Sequence, residues 1–152
     1  MPIAIKDSKI DITSEKSTKE LANKFTRYLK GGEFIFLYGE IGVGKTTFVK
    51  YLINEFQKIE RLQLTEITSP TFNILNEYQI NKLRIKHYDL FRVQNKLDAL
   101  NLDIFEKDDE IITLIEWPKL ITDLKEIRSI DLVFNYENNF KKRLVEIKGL
   151  NL

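Results

Sequence analysis

The chain has 152 residues, 43% of them hydrophobic, which is enough for one sizeable core and too short for two ordinary domains. Lys and Arg number 24 against 23 Asp and Glu, so net charge supplies no electrostatic footprint for nucleic acid or an anionic membrane. The absence of cysteine excludes a disulfide framework, a thiolate metal site and a thiol nucleophile.

Residues 1–11 mix Lys6, Asp7 and Lys9 among apolar residues, and no apolar run approaches the roughly 20 residues of a membrane span. A soluble, cytoplasmic protein is the expectation. Residues 9–13 predict a short edge strand, and Ser17-Thr18-Lys19-Glu20 matches a capping box that would open a helix. Leu21, Ala22, Phe25, Tyr28 and Leu29 form its apolar face, with Gly31-Gly32 as the stop. Phe34 to Tyr38 is uniformly apolar, the pattern of a strand buried on both faces.

Gly39-Glu40-Ile41-Gly42-Val43-Gly44-Lys45-Thr46-Thr47 follows that strand and fits the phosphate-binding loop G-x-x-x-x-G-K-[ST]. Glycines at 39, 42 and 44 allow successive N–H groups to turn inward around an oxyanion. Lys45 is placed to reach terminal phosphates and the Thr46 hydroxyl to sit on Mg²⁺, with a helix N-terminus behind them. That helix is marked by the stripe Phe48, Val49, Leu52, Ile53 and Phe56.

A polar connector, 61–68, ends at Ser69-Pro70-Thr71-Phe72. A hairpin should follow, with Phe72, Ile74, Tyr78 and Ile80 on one strand face, Asn81-Lys82 as the turn, and Leu83, Ile85, His87 and Asp89 on one face of the next strand. Residues 95–105 carry a weak helical pattern, Ile111 to Ile115 a second buried strand, and Pro118 could open a short helix over Leu120 to Ile127. Two alternating strands, Ile130 to Tyr136 and Leu144 to Lys148, close the chain around a turn at Glu137 to Phe140. Residues 1–152 read as a single domain.

A phosphate loop needs a metal partner, and a carboxylate at the end of an apolar strand is the usual source. Glu116 fits best. Asp89 is the second candidate, as a metal ligand or as the group that orients attacking water, and Thr71 could ligate Mg²⁺ or sense the γ-phosphate. His87, the one histidine, reads as a hydrogen-bonded structural residue rather than a base. Trp117 belongs in the core or beside the nucleotide. Asn95-Lys96-Leu97-Asp98 matches a guanine-reading pattern but follows no buried strand, and Lys141-Lys142-Arg143 reads as solvated charge.

Four segments together resemble the TsaE (YjeE) family of bacterial ATPases required for threonylcarbamoyladenosine modification of tRNA. They are Leu37 through Thr47, Ser69 to Phe72, His87-Tyr88-Asp89-Leu90-Phe91-Arg92, and Leu114-Ile115-Glu116-Trp117-Pro118. The resemblance implies a three-layer α/β P-loop fold with a mixed, mainly parallel central sheet and helices on both faces. It implies that Lys45, Thr46 and Thr47 hold ATP and Mg²⁺, that Glu116 completes the metal site, that Asp89 supports hydrolysis, and that Thr18 lies near the adenine. It also implies two protein partners, a TsaD-like transferase and its TsaB-like companion, with tRNA met only indirectly. The departures are Lys119 after the E-W-P triplet and Phe140-Lys141 in place of a glycine-arginine pair. The expected activity is a slow ATPase, since Arg92 is the one obvious arginine for charge stabilisation. The rival readings are a small-molecule kinase and a nucleotide-sensing adaptor.

Overall fold

A computed structural model describes residues 9–124 and 127–149. The elements run β1 (Lys9–Asp11), α1 (Glu15–Thr26), β2 (Phe34–Tyr38), α2 (Lys45–Ile59), β3 (Leu75–Ile80), β4 (Leu83–Asp89), α3 (Lys96–Leu100), β5 (Ile111–Glu116), a 3-10 turn (Pro118–Ile121), β6 (Ser129–Glu137) and β7 (Lys142–Lys148). They form one seven-stranded sheet in the order β1-β7-β6-β2-β5-β4-β3. The four central strands β6, β2, β5 and β4 are parallel, and antiparallel pairs finish both edges.

The uniformly apolar strands sit at the centre, where both faces are covered. In β2, Ile35 and Leu37 pack beneath α1 and α2, whereas Phe34 and Phe36 enter a second core with Tyr88, Ala99, Ile104, Ile115 and Ile121. The two helical layers are unequal. The α1/α2 side holds the larger core, joined by Phe48, whose ring packs edge-on against Phe25 of α1 at 5.5 Å and Phe134 of β6 at 6.2 Å. The other side is covered by α3, the 3-10 turn and their loops.

Five local expectations need correction. The first helix is capped by Ser14, not Ser17: Ser14 is extended (φ −91°, ψ 148°) and its Oγ accepts the Ser17 N–H at 3.1 Å. Two serines three residues apart offered the same capping chemistry, and the earlier one gains an extra turn whose Thr18 hydroxyl bonds back toward Ile12 and Ser14. That helix ends at Thr26, ahead of the glycine pair, and Tyr28 and Leu29 bond to the Phe25 carbonyl in a tightened last turn. The third strand starts at Leu75, because Ile74 has φ 68° and breaks the extended run; Phe72 therefore lies outside it and is 85% exposed. The helix expected over 95–105 is only Lys96–Leu100, and Asn95 of the guanine-like pattern is its N-cap, accepting the Asp98 N–H at 2.9 Å. After Pro118 the chain makes a single 3-10 turn, and the remainder of the expected helix crosses residues 125–126, outside the described residues.

Candidate functional site

Parallel register sets the site. Asp89 pairs with Glu116 across β4 and β5, and Glu116 pairs with Leu37 across β5 and β2, two residues before Gly39. Strand alternation then places Ile85, His87 and Asp89, together with Ile112, Leu114 and Glu116, on the face that carries α2. Both carboxylates thus arrive at the C-terminal edge of the sheet, beside the loop that opens α2, the edge where open α/β sheets bind ligands.

A cleft of about 280 Å³ lies there, lined by Ile41, Gly42, Gly44, Lys45, Thr46, Thr47, Ser69, Thr71, Asp89, Glu116 and Trp117. A second cavity, about 300 Å³, opens at the opposite end of the strands around Gly32, Phe34 and Ser129, without a comparable convergence of polar groups. The cleft's oxygen ligands fall into two hydrogen-bonded groups, one around Glu116 and one around Asp89. The Thr46 hydroxyl lies 3.3 and 3.2 Å from the two carboxylate oxygens of Glu116. Glu116 Oε2 also contacts His87 Nε2 at 2.6 Å. Asp89 Oδ2 accepts the hydroxyls of Thr71 at 3.0 Å and Ser69 at 3.2 Å, while Oδ1 accepts the Phe91 N–H at 2.9 Å. The Ser-Pro-Thr loop is thereby tied to the strand end.

Lys45 is 4% exposed; its ammonium donates to the Gly39 carbonyl at 2.5 Å and lies 3.6 Å from the centre of the Trp117 ring. Desolvation pulls this lysine below its ordinary pKa, and the Glu116 and Asp89 carboxylates pull the other way. Trp117 adopts a left-handed conformation (φ 57°, ψ 56°) immediately before Pro118, a strained arrangement for a bulky residue, and its ring leans on Phe91 at 4.8 Å. Its indole therefore faces the cleft and the phosphate-loop lysine.

Of the residues singled out in the sequence, Gly42, Gly44, Lys45, Thr46, Thr47, Thr71, Asp89, Glu116 and Trp117 share this cleft. Gly39 lies outside the cleft lining and is tied to it only through its carbonyl, which accepts from Lys45. Val43 is fully buried in the main core, so it anchors the loop and only its backbone can face a ligand. Thr18 lines no part of the cleft: it is buried, with its hydroxyl spent on the carbonyls of Ile12 and Ser14. Arg92 stacks over the exposed Phe72 ring at 5.0 Å, outside the cleft lining. Sequence reasoning missed Ser69 as a partner of Asp89. It also missed Arg143, which donates to the Thr13 carbonyl at 2.8 Å; a Cβ added to Gly44 would lie 4.0 Å from its guanidinium.

Among the described residues no group of three or more His, Cys, Asp or Glu could hold a metal unaided. The donors present are oxygens, one carboxylate beside one hydroxyl with a second carboxylate next in register. That set fits Mg²⁺, which takes one or two carboxylates and completes its shell with water and phosphate oxygens.

A family model described as threonylcarbamoyl adenosine biosynthesis protein TsaE matches residues 12–145. A protein from Rickettsia typhi, named tRNA threonylcarbamoyladenosine biosynthesis protein TsaE, is 34% identical over 140 residues, covering 92% of this chain and 94% of the relative. One of the same name from Aquifex aeolicus is 38% identical over 106 residues, 70% of this chain and 73% of the relative. The crystal structure of Bacillus subtilis YdiB superposes with a TM-score of 0.68 at 22% identity, covering 99% of this chain and 90% of that one, a likeness of fold. With the phosphate loop leading from β2 into α2 and the family's match running from Ile12 to Val145, this chain belongs to the TsaE family and has its P-loop fold.

Proposed function

We propose that the protein, one domain over residues 1–152, is a Mg²⁺-dependent ATPase serving threonylcarbamoyladenosine formation on tRNA, working with a TsaD-like transferase and its TsaB-like companion. The observation that carries the ATPase reading is the approach of the Thr46 hydroxyl to the Glu116 carboxylate at 3.2 Å, at the mouth of the phosphate loop. The relatives' names carry the tRNA modification. In this reading the loop N–H groups and the start of α2 receive the β-phosphate, and Lys45 leaves the Gly39 carbonyl and the Trp117 ring to meet the terminal phosphates. Thr46 and Glu116 would hold Mg²⁺, which would supply positive charge against the phosphate oxygens. Asp89, braced by Ser69, Thr71 and the Phe91 N–H, orients water toward the γ-phosphate.

Slow turnover in isolation follows from the arginines, since Arg92 is engaged with Phe72 and Arg143 with Thr13. A stabilising cation supplied by a partner is commonly worth 10³–10⁵ in rate. The balanced charge suits contact with tRNA through partners, and the cytoplasm is the corresponding place of action. Among the described residues no helix is long and apolar enough to cross a membrane.

Reconstitution with the transferase, its companion, tRNA and ATP tests this. The wild-type protein should support repeated rounds of modification, and Glu116→Ala should bind nucleotide in EDTA yet fail to support them. Modification that proceeds equally well with Glu116→Ala would refute the ATPase role.

A further inference from the structure

His87 is fully buried, on a strand face whose neighbours in the same row, Ile85 on β4 and Leu114 on β5, are core aliphatics. The surroundings of that row are those of an aliphatic residue. Instead the position holds an imidazole whose buried Nδ1 has no hydrogen-bond partner among the described residues, a polar atom left unsatisfied in the core. The other nitrogen makes the one bond that repays the choice, Nε2 to Glu116 Oε2 at 2.6 Å. In the ionised form that ligates a cation, the Glu116 carboxylate only accepts, and the hydrogen of this bond then sits on Nε2.

The bond acts on a side chain that otherwise has three rotatable angles. His87 approaches Glu116 from within the sheet, and Thr46 Oγ1 approaches from the first turn of α2 at nearly equal distances from both oxygens. Held from both sides, the carboxylate faces the phosphate loop before any ligand arrives. Mg²⁺ demands near-ideal octahedral geometry, so an oriented carboxylate matters more for it than for a permissive cation such as Ca²⁺.

We propose that His87 is a positioning residue for the cation site: it fixes Glu116 for Mg²⁺ without itself touching metal or nucleotide. The inference rests on the reading of Glu116 as a Mg²⁺ ligand. Outer partners of metal ligands are commonly worth 10–100-fold in metal affinity.

The test measures two affinities in the full-length protein: that for a non-hydrolysable ATP analogue in EDTA, and that for Mg²⁺ at saturating analogue, both followed by Trp117 emission or calorimetry. His87→Leu keeps the volume and deletes the donor; His87→Gln retains an N–H donor of similar reach. Mg²⁺ affinity should fall at least about tenfold in the leucine variant and recover in the glutamine variant, with affinity in EDTA within about twofold of wild type for both. If the leucine variant does not fold, His87→Asn replaces it, since its amide is too short to reach Glu116 and should lose what Gln retains. The inference is overturned if Leu or Asn binds Mg²⁺ as wild type does, if Gln is no better than the variant it is compared with, or if affinity in EDTA falls as much as Mg²⁺ affinity. A wild-type protein whose nucleotide affinity ignores Mg²⁺ would instead remove the metal reading of Glu116, a distinct failure that takes this inference with it.

Discussion

The first and second glycines of the phosphate loop should respond very differently to one added methyl group. Gly39 has φ +146°, and a Cβ built there would stand 2.8 Å from Val43 Cγ1, 2.9 Å from the Phe134 carbonyl oxygen and 3.0 Å from Phe134 Cβ. Gly42 has φ +81°, and its Cβ would meet only the Tyr136 hydroxyl at 3.5 Å, an ordinary contact. Alanine at either site bears the strain of a positive φ, about 1–3 kcal/mol, less about 0.4–1 kcal/mol gained by restricting the unfolded chain. Only Gly39→Ala adds a collision with backbone, typically about 1–3 kcal/mol. The expected losses are about 1–2 kcal/mol for Gly42→Ala and about 3–5 kcal/mol for Gly39→Ala. At roughly 2–4 °C per kcal/mol for a chain of this size, the two melting temperatures should differ by several degrees. Urea denaturation gives the free energies directly, provided the slopes agree. Equal losses, or a larger one at Gly42, would refute the close approach of Gly39 to Val43 and to Phe134 of β6.

Phe48→Ala should cost about 3–5 kcal/mol in the same assay, because a fully buried ring joining α1, α2 and β6 is lost; a cost below 1 kcal/mol would contradict that role. Asp89→Asn should lower the ATPase rate constant about 100-fold and leave Mg²⁺·ATP affinity within about threefold, whereas a matching fall in affinity would make Asp89 a metal ligand instead. Desolvation, with Asp131 adding to it, pushes the Tyr38 phenol up to about 12. Its unfolded counterpart ionises near 10.0, so the stability Tyr38 contributes is intact below pH 10 and is lost as pH rises toward 12. Tyr38→Phe should flatten the alkaline fall in stability, and an unchanged pH profile would show that Tyr38 does not ionise later in the folded protein.

The sequence exposed those features whose physics is local. Phe34 to Tyr38 and Ile111 to Ile115 are apolar without alternation because both faces are covered, and that pattern survives without knowledge of the neighbours. The loop chemistry at Gly39 to Thr47 and the strand-end positions of Asp89 and Glu116 were legible for the same reason. Where two residues offered equivalent local chemistry, as Ser14 and Ser17 do, only tertiary contacts chose between them. The start of β3 depends on the left-handed Ile74, which no residue preference announces. The contact of His87 with Glu116 required the register of β4 against β5, a property of the folded sheet. Arg143 looked like solvated charge because its partner, the Thr13 carbonyl, lies 130 residues away in sequence. Thr18, carried over from the family pattern, fills its hydrogen bonds within the first turn of α1 and its entry.

Trp117, the one tryptophan, carries the Lys45 ammonium 3.6 Å from its ring centre and so reports on the residue expected to meet the terminal phosphates. Titration with a non-hydrolysable ATP analogue and Mg²⁺ should change its emission saturably, with one site per chain, and Lys45→Ala should abolish the tight phase. Emission indifferent to nucleotide in the wild type, or the same tight phase in Lys45→Ala, would contradict the claim that this loop seats a triphosphate.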